Sequence, residues 1–290
     1  MKKFIQNIIK FIFPLVLILI GPIIYLYFTA KSDLTNYKIN KDINRLIVGD
    51  SHAKLGINDS IISSSINIAQ FSESYLYTYY LLDEILKTNK NIDTLLLSCS
   101  YHNFAKYYDY STYHPDVIGR YFYVMPDDIK FILINKSQNM ISTLKFSTLY
   151  FIENLFSNQK SFIGKFEDFP VDKEISEIYI NKRISKQYGN IDSNNLYSDL
   201  NIIYFKKIID LCKKSNVELI LIRSPLHKDY FKKIPKYIID KYQKVTKNRK
   251  IIFLDDEITY TDIMPDGDHL SDQGAIKFSK YIEEQLNIKK

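Results

Sequence analysis

The first pattern along the chain is an uninterrupted apolar block. Phe11 to Ala30 carries no charged residue, with Lys2, Lys3 and Lys10 before it and Lys31 after it. A stretch of that length is about what a helix needs to cross a hydrocarbon core of roughly 30 Å. Pro14, Gly21 and Pro22 are poor in a soluble helix but tolerated within membranes. Tyr25 and Tyr27 suit the aromatic belt at one interface, and the leading lysines favour a cytoplasmic N-terminus with the remainder translocated. A cleaved signal peptide is the competing reading. The block is long for one, and Phe28-Thr29-Ala30 puts a bulky residue where cleavage wants a small one. The expectation is an uncleaved transmembrane anchor within residues 1–30, a polar stalk over 31–42, and a domain over 43–290.

In that domain the pattern alternates. Arg45–Val48, Ile66–Ala69, Thr94–Ser98, Val217–Ile222 and Ile251–Leu254 are short apolar runs, the kind that strands buried on both faces of a parallel sheet require. Between them, Ser74–Thr88, Leu196–Ser215, Lys228–Lys247 and Ser271–Leu286 place apolar residues at helical spacing, with Ser72 positioned as an N-cap. Alternating strands and helices imply crossover units and an α/β fold, a three-layer αβα sandwich around a five-stranded parallel sheet of flavodoxin-like order. Residues 101–195 break the rhythm and read as a mainly helical insertion. It opens with a tyrosine cluster, Tyr107, Tyr108, Tyr110, Tyr113, Tyr121 and Tyr123. Such residues either pack a cap against the domain or present flat faces to sugars.

Composition narrows the class. Of the 290 residues, 46% are hydrophobic and 25% charged, enough apolar surface for an ordinary core. The formal charge of +6 is scattered, with no dense basic run among aromatics, so a nucleic-acid partner is not expected. Cys99 and Cys212 are far apart and form no CxxC or Cys/His group, which favours two buried small side chains over a metal site.

The chemistry concentrates at two strand ends. The first strand runs into Gly49-Asp50-Ser51-His52, and ligands in open parallel sheets bind at the carboxyl ends of strands. Glycine permits the tight turn that exposes the serine hydroxyl, which needs an adjacent base to become a nucleophile. After the fifth strand comes Asp266-Gly267-Asp268-His269-Leu270-Ser271. There His269 can reach Ser51, and Asp266 can fold back through Gly267 to hold the imidazole, which gives the nucleophile, base and orienting carboxylate of a triad. Asp268 is a rival orienting acid, but its adjacency makes a bond to the His269 ring awkward. Asp262, Asp266 and Asp268 lack the alternation of a calcium loop, so neither metal nor cofactor is expected.

Gly49-Asp50-Ser51 resembles the first block of the SGNH (GDSL-type) hydrolases, and Asp266-x-x-His269 followed by Leu270-Ser271 and Gly274 resembles their last. The resemblance covers roughly residues 43–290 apart from the insertion. It implies that Asn103, in Ser98-Cys99-Ser100-Tyr101-His102-Asn103, supplies an oxyanion donor; a turn asparagine is the alternative. The second block of the family carries a glycine whose N–H faces the oxyanion, whereas Ser72 occupies that position here. A backbone N–H does not require glycine, so Ser51, Ser72 and Asn103 form the expected oxyanion set. Asp50, His52, His102 and His227 are candidates to line the substrate, with a surface-loop role the alternative for His227.

The resemblance further implies esterase or O-acyltransferase chemistry on a cell-envelope polysaccharide or glycolipid, outside the cytoplasmic membrane of a bacterium. A transferase would partner a multi-span membrane acyltransferase. A scaffold retained for envelope assembly or glycan binding, without catalysis, is the competing function. Sequence does not choose between hydrolysis and transfer.

Overall fold

The computed structural model describes residues 1–35, 37–157, 160–168, 175–189, 196–254 and 260–288; the side chains of 19, 22, 23, 26, 27, 29–35, 155 and 260 are outside that description. The chain begins with helix α1 (Lys2–Thr35), which takes in the whole apolar block. Its Phe11, Phe13, Ile18, Tyr25 and Phe28 are exposed. Taken over the described residues, no helix is long and apolar enough to cross a membrane. The expected span is therefore not established by the fold, and the Tyr27 part of the aromatic-belt expectation lies outside the described residues.

The helix continues through Thr35, the first part of the expected stalk. The rest of that segment is tied to the domain. Ile39 is buried and its N–H donates to Asn89 Oδ1 at 2.6 Å, while Asn89 Nδ2 donates to the Tyr37 carbonyl at 2.7 Å.

The sheet is built from β1 (Arg45–Val48), β2 (Ser65–Asn67), β3 (Thr94–Ser98), β4 (Glu218–Arg223) and β5 (Ile251–Phe253). All neighbours pair in parallel, in the order β2-β1-β3-β4-β5. Strand alternation assigns the faces. Leu46, Val48, Leu95, Leu97 and Leu221 point into one core with α3 (Tyr75–Thr88), α9 (Asp199–Lys214) and α11 (Lys236–Thr246). Ile47, Leu96, Ile220, Ile222 and Ile252 point into the other, with α2 (Ser51–Gly56) and α12 (Asp272–Asn287). These two helix sets and the sheet are the three layers.

Some boundaries differ from the pattern. The expected helix over 228–247 is two, α10 (Lys228–Phe231) and α11, because Pro235 cannot continue the first and caps the second. Ser72 is not the N-cap of α3; Ser74 holds that position without a side-chain capping bond, and Ser72 sits two residues earlier in a left-handed turn at φ +59°. The regular elements of the insertion are helices in its described part, joined by turns and an irregular stretch over 160–168. The insertion contains a single 3-10 turn (Tyr101–Phe104), then α4 (Tyr107–Thr112), α5 (Pro115–Tyr121), α6 (Asp127–Ser137), α7 (Met140–Phe156) and α8 (Glu177–Tyr188). Its residues 158–159, 169–174 and 190–195 lie outside the described set. Val117, Ile118, Tyr121 and Leu133 join the same core as α3 and α9, so this insertion packs as part of the domain. Cys99 and Cys212 are both buried free thiols.

Candidate active site

Register brings the first two strand ends together. Val48 pairs with Leu97, which sets Gly49 beside Ser98. Gly49 takes φ +127°, and a Cβ built there would lie 2.6 Å from the Ser98 Cβ. Glycine is therefore demanded twice, by its backbone conformation and by the close approach. Asp50 then caps α2, accepting from the His52 N–H at 3.1 Å, and Ser51 is the first helical residue, half-buried.

The opposite partner is carried on a folded-back loop ahead of α12. Met264 N–H donates to the His269 carbonyl at 2.8 Å, and Gly267, at φ +74°, donates to the Met264 carbonyl at 2.9 Å. That turn presents Asp266 to three groups of its own loop. Its Oδ1 accepts from the Asp268 and His269 N–H groups at 3.0 and 3.2 Å, and its Oδ2 is 2.8 Å from His269 Nδ1. His269 Nε2 is 2.8 Å from Ser51 Oγ. A carboxylate on Nδ1 fixes the proton there and leaves Nε2 to accept from the serine hydroxyl. Burial would raise the Asp266 pKa, but His269 outweighs it and holds the carboxyl down at about 2. Ser51, His269 and Asp266 are thus brought together in one hydrogen-bonded line.

Asp268 does not compete for His269. It is fully buried, and its Oδ1 lies 3.0 Å from His52 Nε2. Its Oδ2 accepts from Arg183 Nε at 2.6 Å and Gln187 Nε2 at 2.9 Å, both on α8. Gln187 in turn accepts from the Tyr230 hydroxyl. Burial alone would favour the neutral acid, yet His52 and Arg183 hold the Asp268 carboxyl well below its ordinary range.

Asp50 is the second buried carboxylate. Its Oδ1 accepts from Ser98 Oγ at 3.0 Å, and its Oδ2 takes His102 Nε2 at 2.8 Å, Asn103 Nδ2 at 2.9 Å and the Tyr108 hydroxyl. Burial again opposes the charge, and His52 and His102 outweigh it to keep the group well below the usual carboxylate range. Between the two carboxylates sits His52. Burial pulls its pKa down, but Asp268 and Asp50 together push it up to about 10. His102 moves the other way, lowered by burial and by the neighbouring His52. Asp50, His52 and His102 therefore form a buried polar layer beneath the serine, not a substrate-facing surface.

The expected oxyanion set is only partly assembled. Asn103 is 1% exposed; its Oδ1 accepts from the Ser100 N–H at 2.6 Å, and Nδ2 is given to Asp50. Its amide is thus used in orienting the serine turn. The backbone N–H groups of Ser51 and Ser72 donate no hydrogen bond among the described residues. The left-handed φ of Ser72 is the conformation that glycine adopts most readily, so serine here keeps the backbone path that a glycine would take. His227 is buried at the N-cap of α10, and its N–H donates to the Gly267 carbonyl at 2.9 Å, tying the strand-four end to the Asp266 loop.

Two trios bring ligand-type atoms within 4.8 Å of one another, Asp50/His52/His102 and His52/Asp268/His269. Histidine and carboxylate are a donor set that zinc accepts. Here most of those atoms are engaged with one another and with Ser51, Ser98, Asn103, Tyr108, Arg183 and Gln187, which makes a hydrogen-bonded network the better description.

The tyrosine cluster divides. Tyr108 and Tyr121 are buried donors, to Asp50 and to Glu73 Oε2, so part of the cluster holds the insertion to the domain. Tyr107 and Tyr110 instead border a pocket of about 170 Å³ with Lys186, Tyr188 and Tyr237. Arg183, Gln187 and Tyr108 were not singled out by the sequence pattern. One signal was available for Arg183, since arginine is scarce in this lysine-rich chain and its planar fork suits a buried carboxylate. No family model matches this chain, and no curated protein matches it either.

Proposed function

We propose that the chain is a serine esterase or O-acyltransferase of the SGNH kind. The observation that carries this reading is the continuous line Ser51 Oγ, His269, Asp266, with both links at 2.8 Å, at the carboxyl end of β1. Ser51 Oγ bonds to the acyl carbon of an ester as its proton passes to His269 Nε2. Negative charge develops on the former carbonyl oxygen, and the Ser51 and Ser72 N–H groups are the donors offered to it. The protonated His269 then gives its proton to the leaving alkoxide as the carbon–oxygen bond breaks, leaving an acyl-serine. Water, or a sugar hydroxyl in a transferase, repeats the sequence in reverse and releases the acyl group.

The resemblance and the apolar N-terminal block extend the proposal. In this reading the apolar block Phe11–Ala30, whose side chains are only partly among the described ones, anchors the protein by a single span in the cytoplasmic membrane of a bacterium, with the domain outside. The substrate is an acyl ester, in the first instance acetyl, of a cell-envelope polysaccharide or glycolipid. In the transferase form a multi-span membrane acyltransferase supplies the acyl group.

A non-catalytic envelope-assembly or glycan-binding scaffold is the second reading. It is favoured by one observation, the commitment of the Asn103 amide to Asp50 rather than to an oxyanion. A fluorophosphonate probe separates the two. The catalytic reading expects one adduct, mapped to Ser51 by mass spectrometry and lost in His269→Ala. Absence of any adduct on the folded chain would favour the scaffold.

A further inference from the structure

Three imidazoles lie ring against ring in the buried layer, His52 stacked on His269 and tilted against His102. The His52 ring lies 4.7 Å from that of His269 with 22° between planes, and 4.3 Å from that of His102 with 30° between planes. Nothing in triad chemistry requires a second histidine against the base. Resting on the catalytic reading above, we propose that His52 is a permanently charged platform that holds the His269 ring in register with Ser51, and that Arg183 and Gln187 of the insertion set this platform through Asp268.

The geometry supports each link. His52 Nε2 is hydrogen-bonded to Asp268 Oδ1 at 3.0 Å, and His52 Nδ1, which makes no hydrogen bond among the described residues, lies 3.4 Å from Asp50 Oδ1, so the ring sits between two carboxylates. The second oxygen of Asp268 is held by Arg183 and Gln187 on α8, and the second oxygen of Asp50 by His102, Asn103 and Tyr108. The charged and titratable groups around His52 are therefore Asp50, Asp268, His102 and His269 in contact, with Arg183 and Tyr108 behind the carboxylates.

Two consequences follow for the base. With its two ring nitrogens turned to Asp268 and Asp50, His52 leaves His269 as the acceptor for the Ser51 proton. A stacked plane also opposes rotation of the His269 ring out of line with Asp266 and Ser51. His52 and Arg183 act through His269 and touch no reacting atom, so both are positioning residues. The insertion is then a working part of the site as well as a cover.

Two measurements on the full chain test this. In histidine-labelled wild-type protein, nuclear magnetic resonance reads the protonation of each imidazole, with His52 assigned by its proximity to His102 and His269. His52 is expected to remain doubly protonated at about pH 8, above the ordinary imidazole range. Loss of its proton at or below about pH 8 overturns the proposal. This readout holds whether or not Ser51 reacts, so its failure is distinct from failure of the catalytic reading.

The second measurement is the rate at which the fluorophosphonate labels Ser51 across pH. Arg183→Met is expected to slow labelling roughly tenfold in folded protein, the scale of coupling between neighbouring groups. Asp268→Asn is expected to do the same, and the double variant to be no slower than either. Arg183→Lys restores part of the rate. Wild-type labelling by folded Arg183→Met, or strictly multiplicative losses in the double variant, would overturn the relay. If wild-type Ser51 takes no label, the catalytic reading falls, and the His52 resonance alone decides whether the charged layer exists.

Discussion

Asp266 and Asp268, two residues apart on one loop, each hold a different histidine. Asp266 Oδ2 is 2.8 Å from His269 Nδ1, and Asp268 Oδ1 is 3.0 Å from His52 Nε2. Gly267 between them makes the division feasible, because its φ of +74° turns the chain within a single residue. A conservative change at Asp266 should therefore be a chemical lesion. Asp266→Asn keeps the loop bonds but favours the wrong tautomer of His269, and a loss of about 10,000-fold in turnover is expected. Steady-state kinetics beside a melting curve checks it. A drop in activity explained by unfolding would count against the assignment.

The buried carboxylates give stability a direction with pH. Asp50 and Asp268 are held well below their ordinary range and Asp266 at about 2. Groups depressed in the folded state stabilise it above their unfolded pKa and lose that contribution as pH falls through the folded value. His52, raised to about 10, stabilises fully below its unfolded value and loses the contribution as pH rises toward 10. Denaturant midpoints should therefore fall on both sides, below about pH 4 and again from about pH 7 upward. A flat alkaline limb would contradict the charged His52. These shifts belong to one coupled cluster and are not to be added.

Glu73 offers a second alkaline effect, caused mainly by burial, with Asp50 of that cluster a minor contributor. It is buried against Thr78 and Tyr121 hydroxyls at 2.6 Å each, and burial raises its pKa to about 8. An acid raised in this way stabilises the fold below its unfolded pKa and loses the contribution as pH rises through 8. Glu73→Gln should remove this part of the decline while leaving stability near pH 5 almost unchanged. Urea titrations of both forms at several pH values decide it.

Gly49 is the point where fold and site share a constraint. Gly49→Ala must accept a disfavoured φ and a Cβ 2.6 Å from that of Ser98. A loss of about 1–3 kcal/mol is expected from the backbone alone, with displacement of Ser51 and a fall in labelling. Unchanged stability and labelling would mean that the turn relaxes without consequence.

The strand pattern carried most of the architecture. Arg45–Val48 and Thr94–Ser98 were bounded as they occur, and α3 between them followed from apolar spacing, whereas the short α2 did not. What failed was local. Ser72 looks like a cap because serine favours caps, but the left-handed turn that it occupies depends on tertiary context rather than on its own side chain. Pro235 marked a break inside 228–247 that the helical spacing concealed. At the site, the spacing of Asp266 and His269 was readable because they lie only three positions apart. Arg183, Gln187 and Tyr108 reach their partners over 50 residues or more of chain, and no local pattern encodes such an encounter. His52 was visible as a neighbour of Ser51, but its charge depends on two carboxylates that only the fold brings together.

The most direct test of the central claim is ester hydrolysis by the full chain with p-nitrophenyl acetate, wild type beside Ser51→Ala. The account predicts turnover in the wild type and a loss of at least about a thousandfold in a variant with unchanged stability. Equal rates in the two folded proteins would contradict Ser51 as the nucleophile.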